Sequence, residues 1–174
     1  EAPLPLPLHE KLVGLFRSYM LVGGMPEVVA KWVETRDYLA CQEVQDDIVL
    51  TYQDDFPKYR KRVDPTLLRL TLQSIALQIG NKFVYSQVGR GYSTNEVKKA
   101  LEMLTLAGII TPVMHTNANG LPLGSEVDPT YRKMLLLDSG LLLRWLNMTG
   151  DTSELTAQIL THSTTDLVNK GALT

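Results

Sequence analysis

The first group in this chain that could form a binding site consists of two glycines and a proline: Gly23, Gly24 and Pro26. Glycine tolerates positive φ angles and close approach to the backbone, and proline is favoured in the first turn of a helix. The spacing therefore predicts a sharp corner followed by a helix N-terminus. Two interpretations stay open: a tight connection between helices, or a bare corner against which a flat or anionic group such as a nucleotide base lies.

A second group places four cations within the five residues Lys58–Arg62. Such a cluster can hold phosphate, which makes Arg60, Lys61 and Arg62 candidates for contact with nucleic acid. The alternative is a solvated linker whose positive charge balances the acidic side of the preceding helix, and we favour this alternative. Prolines on both sides of the cluster predict a domain boundary here.

The elements that position these groups follow from hydrophobic periodicity. The predicted helices are Leu8–Met20, one starting at Pro26, one from Asp37 to about Phe56, Pro65–Ile79, one from Ser93 to Gly108, Gly140–Asn147 and Ser153–His162. Two apolar stretches predict strands joined by a long turn, Ile109–His115 and Lys133–Asp138.

Four helix starts carry side chains suited to capping, and the first of them is Asp37 before the third helix. Asp64 precedes a proline-started helix, Ser93 and Glu96 form a capping box, and Asp138 can cap the helix that follows it. Phe83–Val88 is short and is expected to be a brief helix or turn, so the elements from Pro65 onward follow in the order helix, short helix, capped helix, strand, long turn and strand.

That order predicts a winged helix-turn-helix, in which a two-stranded ribbon covers a three-helix core. The expected fold class is mainly α with a small antiparallel β-ribbon, with an N-terminal helical, lid-like lobe before the winged helix. We expect the lobe at residues 1–60, the winged helix at 61–142 and a helical C-terminal segment at 143–174.

A winged helix that reads DNA would use its capped helix in the major groove, and Lys98 and Lys99 are the cations available there. Glu96 and Glu102 offset both lysines, and the predicted wing, Thr116–Tyr131, contains no Lys or Arg. Phosphate contacts dominate affinity for DNA. A DNA-binding module is therefore our alternative hypothesis, and a winged helix that faces protein is preferred.

Catalytic and metal-binding patterns are missing from the sequence. It has no G-x-x-x-x-G-K-[ST] phosphate loop, and His9, His115 and His162 lack the spacing of metal ligands. The lone Cys41 lies on the apolar side of its predicted helix, where it is expected to be a small core residue. We expect no catalytic residue, no metal site and no cofactor within these residues.

Composition is that of an ordinary globular protein, with a net charge of −2 and 44% hydrophobic residues. A single cysteine is typical of a reducing compartment, so we expect a cytoplasmic location. No apolar run is long enough to span a membrane. The missing initiator Met suggests a piece excised from a longer protein.

Several motifs in sequence order resemble the region behind the ATPase core in a group of prokaryotic AAA-type ATPases that carry a C-terminal domain of unknown function. They cover nearly the whole chain: Tyr19–Val29, Asp55–Tyr59, Gly80–Ser86, Ala107–Ile110, Leu121–Glu126 and Leu137–Leu142. No single motif is decisive, but their order together is fairly specific.

The resemblance implies a helical lid plus winged helix, with an ATP- and Mg-binding core before Glu1 and a further domain, sometimes described as nuclease-like, after Thr174. By analogy with related lids, Gly23, Gly24 and Pro26 would lie close to the nucleotide. The implied function is a non-catalytic relay of nucleotide state from that ATPase core to an effector domain. Both absent parts would be partners, and a separate protein partner is left open.

Overall fold

A computed structural model of the chain describes residues 4–117 and 119–147. Within this part lie six helices and two strands. The helices are α1 (Leu6–Val22), α2 (Pro26–Thr35), α3 (Tyr38–Asp55), α4 (Pro65–Leu77), α5 (Thr94–Leu106) and α6 (Ser139–Asn147). The strands are β1 (Ile110–Thr116) and β2 (Val127–Leu136), and short 3₁₀ turns occupy Phe56–Tyr59, Tyr85–Gln87 and Leu123–Glu126. The predicted fold class, mainly helical with a small antiparallel ribbon, is confirmed. The predicted helix Ser153–His162 lies outside the described residues.

The described residues form two compact units. The first contains residues 4–51 and 138–147, and the second contains residues 52–117 and 119–137. This division differs from the predicted boundaries after residues 60 and 142. The physical reason at the second boundary is that α6 packs against α1, so the chain from Asp138 onward belongs with the N-terminal helices.

The first unit has a small core where α1, α2 and α3 meet. Val22, Val28 and Cys41 are buried there, as predicted for the cysteine. The rings of Trp32 and Tyr38 stack beside this core with their centroids 4.5 Å apart. Burial of these apolar groups is what holds the three helices together.

The helix α1 forms as its apolar spacing predicts, but most of its apolar side chains do not enter the core. Five of them, at helical spacing, are each 44–58% exposed: Leu8, Leu12, Leu15, Phe16 and Tyr19. Its buried residues, Leu21 and Val22, lie at the C-terminal end. A continuous apolar stripe is thus exposed in the part of the chain that the structure describes, as is common at interaction sites.

The second unit is built around α4, whose side chains Leu68, Leu72 and Ile75 are fully buried. Asp64 caps this helix by accepting the Thr66 N–H at 2.9 Å. The capping box of α5 is present in full between Ser93 and Glu96. Both caps agree with the sequence prediction, because capping depends on residues only two or three positions apart.

The ribbon pairs β1 with β2 in antiparallel register, from Ile110 opposite Leu136 to Val113 opposite Lys133. The register shifts between Met114 and His115, and β2 extends back to Val127. The prediction that this strand begins at Lys133 was therefore wrong. Its first half is polar and lacks the apolar–polar alternation that identifies a strand in a sequence. Its pairing with β1 is also irregular, as at a β-bulge.

Candidate functional site

The corner between α1 and α2 is the best-defined polar site of the first unit. Gly23 has a φ of 74°, and its N–H ends α1 by donating to the Tyr19 carbonyl at 2.7 Å. The next N–H, that of Gly24, donates to Oδ2 of Asp138 at 2.6 Å. The carboxylate of Asp138 therefore lies against the corner that was considered above as a possible neighbour of a nucleotide.

Asp138 binds two helix starts with its two oxygens. Oδ2 takes the Gly24 N–H just before α2, and Oδ1 accepts the Leu141 N–H at 2.9 Å in the first turn of α6. The side chain is buried, with Asp138 only 8% exposed. The predicted capping of α6 is confirmed, and the same carboxylate satisfies a second backbone donor that sequence spacing could not reveal.

The two glycines are not equivalent. A Cβ on Gly23 would collide with the carboxylate of Asp138, whereas a Cβ on Gly24 would lie 3.8 Å from the nearest carboxylate oxygen, an ordinary contact. Gly23 is buried, while Gly24 and Pro26 are exposed. The structure thus brings all three predicted residues to the start of α2, with Asp138 as the neighbour of the buried glycine and the other two open to solvent.

Gln45 on α3 completes the polar lining of this corner. Its Nε2 donates to the carbonyls of Leu21 at 2.8 Å and Val22 at 3.0 Å, and its side chain is buried. These carbonyls belong to the last turn of α1, where no helical N–H remains to bind them. A Cβ on Gly140 would clash with the same amide and would lie 2.8 Å from the Val22 carbonyl.

An ion pair adds a further tie in the first unit. Arg144 donates from Nε and Nη2 to the two carboxylate oxygens of Asp46, at 2.7 and 2.6 Å. Sequence reasoning missed this pair, because its two residues lie 98 positions apart. Gln45 was missed too, although a glutamine four residues from Cys41 and Val49 on one side of a helix is a usable signal for a buried amide.

The predicted nucleic-acid contacts lie in the second unit, and the structure brings only two of them together. Arg62 and Lys99 line the same surface hollow, of about 190 Å³, with Asp64 and Glu96 in the same lining. Lys98 instead lies with its ammonium 6.0 Å from the centroid of the Tyr85 ring. Arg60 and Lys61 are exposed beyond the 3₁₀ turn.

The acids beside this hollow are held in their charged form. The Thr66 N–H and the Tyr92 hydroxyl, both donating, lower the pKa of Asp64. The hydroxyl and N–H of Ser93 lower the pKa of Glu96 in the same way. Two carboxylates thus face two cations at neutral pH, which weakens the hollow as a phosphate site.

Three further features concern the described part of the chain: the thiol of Cys41, possible metal ligands and the length of the helices. Burial raises the pKa of the Cys41 thiol, which keeps it protonated and unreactive. In residues 4–117 and 119–147, no group of three or more His, Cys, Asp and Glu side chains is arranged to hold a metal ion. Among those same residues, every helix is too short or too polar to cross a lipid bilayer.

Comparison with known proteins identifies a family for the chain. No curated protein and no solved structure matches the chain. A family match covers residues 13–152, which is most of the chain and includes both units as far as α6. The chain therefore belongs to the family described as Domain of unknown function (DUF8612).

Proposed function

We propose that this chain is a non-catalytic coupling region of an AAA-type ATPase, which passes the nucleotide state of an ATPase core to an effector through a winged helix. The observation that carries the proposal is the corner at Gly23 and Gly24, held by the carboxylate of Asp138. On the exposed side of the corner, Gly24 and Pro26 present little side-chain bulk before α2, and this suits a flat group such as a nucleotide base as neighbour. The motifs around it resemble those behind such ATPase cores.

The corner is suited to relay because the residue that binds it, Asp138, follows the ribbon closely in sequence. Asp138 follows the last residue of β2, Leu136, by two positions. A displacement of the corner that moves Asp138 would act on the backbone that continues from β2.

The exposed apolar stripe of α1 supports a protein partner. It presents five large apolar side chains, from Leu8 to Tyr19, without a covering element in the described part of the chain. We propose that the ATPase core docks on this stripe, because burial of apolar area is the main source of affinity in lasting interfaces. In that position the core would lie next to the helix that ends at the glycine corner.

The order of elements in the second unit supports the winged-helix part of the proposal. The sequence α4, 3₁₀ turn, α5, β1 and β2 is the order expected for that motif. The alternative, duplex DNA binding through Arg60, Lys61, Arg62, Lys98 and Lys99, has weaker support. Lys98 is separate from the Arg62–Lys99 pair, and Asp64 and Glu96 line the hollow that this pair shares.

Calorimetric titration of ATP into two proteins tests the proposal: this chain, and a natural chain that extends it upstream through an ATPase core. The chain by itself should bind ATP weakly or not at all, and the extended chain should bind it tightly. In the extended chain, Asp138→Ala should change the ATP turnover rate, whereas Asp47→Ala, an exposed acid on α3, should not. Tight binding of ATP by the chain alone would refute the relay.

A further inference from the structure

Rings and lysines from separate stretches of the second unit lie together in two groups. The ammonium of Lys82 lies 5.0 Å from the centroid of the Tyr131 ring, and the ring of His115 lies 5.1 Å from the same ring. Lys98 lies over Tyr85 at 6.0 Å. We call these five residues, Lys82, Tyr85, Lys98, His115 and Tyr131, the ring–lysine surface.

Backbone and core contacts hold this surface together. The N–H of Phe83 donates to the Arg132 carbonyl of β2 at 2.9 Å, which fixes Lys82 beside the strand that carries Tyr131. The buried Phe83 ring packs edge-on against Tyr85 with centroids 5.5 Å apart. The Tyr85 ring is therefore positioned before any ligand arrives, which reduces the entropy lost on binding.

Arg132 extends the surface toward α5. Arg132 and Lys98 line one hollow of about 280 Å³, and Glu102 is the acid in that lining. Near Lys82 the acid is Asp128, whose Oδ1 accepts the Thr130 N–H at 2.7 Å and the Thr130 hydroxyl at 2.6 Å. Lys82, Lys98 and Arg132 thus supply positive charge in this part of the second unit, with Glu102 and Asp128 as neighbouring acids.

This arrangement changes what the wing can offer. The sequence places no Lys or Arg between Thr116 and Tyr131, and on that ground the wing was predicted to be poor at binding DNA. Folding brings Lys82 from outside the wing onto its terminal tyrosine. The wing therefore has a lysine at its surface, although its own sequence contains no Lys or Arg.

We propose that the ring–lysine surface binds a single-stranded nucleic acid, with bases stacked on Tyr131, His115 and Tyr85 and phosphates beside Lys82, Lys98 and Arg132. Rings combined with a modest number of cations are typical of sites that bind single strands with little sequence preference. Bases in a duplex are already stacked on one another and cannot reach these rings. This inference does not depend on the proposed relay.

Fluorescence anisotropy of a labelled oligothymidylate of about 12 nucleotides, titrated with the 174-residue chain, tests the proposal. Binding should be stronger than to a duplex of equal length. The salt slope should be shallow, at about −0.7 per contacted phosphate for single strands. An oligouridylate of the same length shows whether the sugar is discriminated, and binding of either strand satisfies the prediction.

Variants identify the surface. Tyr131→Ala should weaken binding by about tenfold or more, while Tyr131→Phe should retain it because the ring remains. His115→Ala, at an exposed position, should also weaken binding. The double variant Lys82→Gln/Lys98→Gln should weaken binding more than the matched control Lys11→Gln/Lys31→Gln, which removes the same charge from the first unit. A circular-dichroism melt of each variant confirms that it is folded.

Three results would overturn the proposal. The first is no binding of either single strand at about 50 mM salt. The second is equal loss of affinity in the surface and control variants, which would indicate attraction to general positive charge. The third is displacement of the strand by polyglutamate as effectively as by unlabelled oligothymidylate, which would indicate an acidic protein as the partner.

Discussion

Oδ2 of Asp138 accepts the backbone N–H of Gly24 at 2.6 Å, although the two residues are 114 positions apart in sequence. The same side chain caps α6 through Leu141. One buried carboxylate thus joins the corner between the first two helices to the start of the last described helix. Within the first unit, no other described side chain connects such distant helix ends through both of its oxygens.

Removal of this carboxylate should destabilise the first unit. Asp138→Ala leaves the N–H groups of Gly24 and Leu141 without their partner, and loss of a buried acceptor and cap costs about 1–3 kcal/mol. Asp138→Asn should cost a comparable amount, because the amide has one acceptor oxygen and must turn an NH₂ group toward one of the two donors. Urea denaturation measures the change, with Asp47→Ala as the exposed control. If Asp138→Ala lowered the free energy of unfolding no more than Asp47→Ala does, the two hydrogen bonds of Asp138 would not be stabilising.

The two corner glycines should respond differently to the same substitution. Gly23→Ala forces a side chain into positive φ and against Asp138, whereas Gly24→Ala adds only an ordinary contact. We expect Gly23→Ala to reduce the free energy of unfolding by about 1–3 kcal/mol more than Gly24→Ala. Thermal melts of the two single variants make the comparison.

A double variant separates backbone strain from the collision. If the carboxylate is what opposes the new methyl group, Gly23→Ala combined with Asp138→Ala should lose less than the two single losses added together. Strict additivity would mean that Asp138 does not lie against Gly23 in solution.

Gln45 should be sensitive even to a substitution that preserves its shape. Gln45→Met retains the volume but removes the donor to the carbonyls of Leu21 and Val22, at an expected cost of about 1–3 kcal/mol. Gln45→Glu should be worse at neutral pH, because a buried carboxylate would face two carbonyl oxygens. Gln87→Met, at an exposed position, is the matched control in the same denaturation assay. Stabilities of the Gln45 and Gln87 variants that coincide would rule out this role.

The capping box of α5 gives a pH-dependent prediction. Ser93 lowers the pKa of Glu96 in the folded chain, so the stabilisation is present above the ordinary carboxyl pKa of about 4.3. It is lost as the pH falls through the lower, folded-state pKa, because the unfolded chain takes up the proton first. The stability difference between the native chain and Glu96→Gln should therefore be largest at neutral pH and shrink on acidification. Denaturation at several pH values measures it, and a gap that widens toward low pH would contradict this assignment.

Sequence reasoning succeeded where structure depends on near neighbours. The caps at Asp64, Ser93 and Asp138 were predicted because each acts on an N–H two or three residues away. The corner at Gly23 was predicted because few other residues adopt its φ.

The contacts that define the sites could not be predicted in the same way. Gly24 and Asp138 are separated by most of the chain, and Lys82 reaches Tyr131 across about fifty residues of sequence. Spacing carries no information on such pairs, because they depend on how the helices and the ribbon pack. The exposure of α1 is a similar case, since an apolar stripe predicts a buried face without specifying what buries it.

The discontinuous first unit has a consequence for biosynthesis. On a ribosome, the amide of Gly24 is made 114 residues before the carboxylate that will bind it. At translation rates of about 5–20 residues per second, roughly 6–23 seconds pass in which water must serve as its partner. The intervening chain, which contains the second unit, is complete before Asp138 emerges. We therefore expect the nascent protein to finish its N-terminal unit last, reversing the usual order in which domains mature during translation.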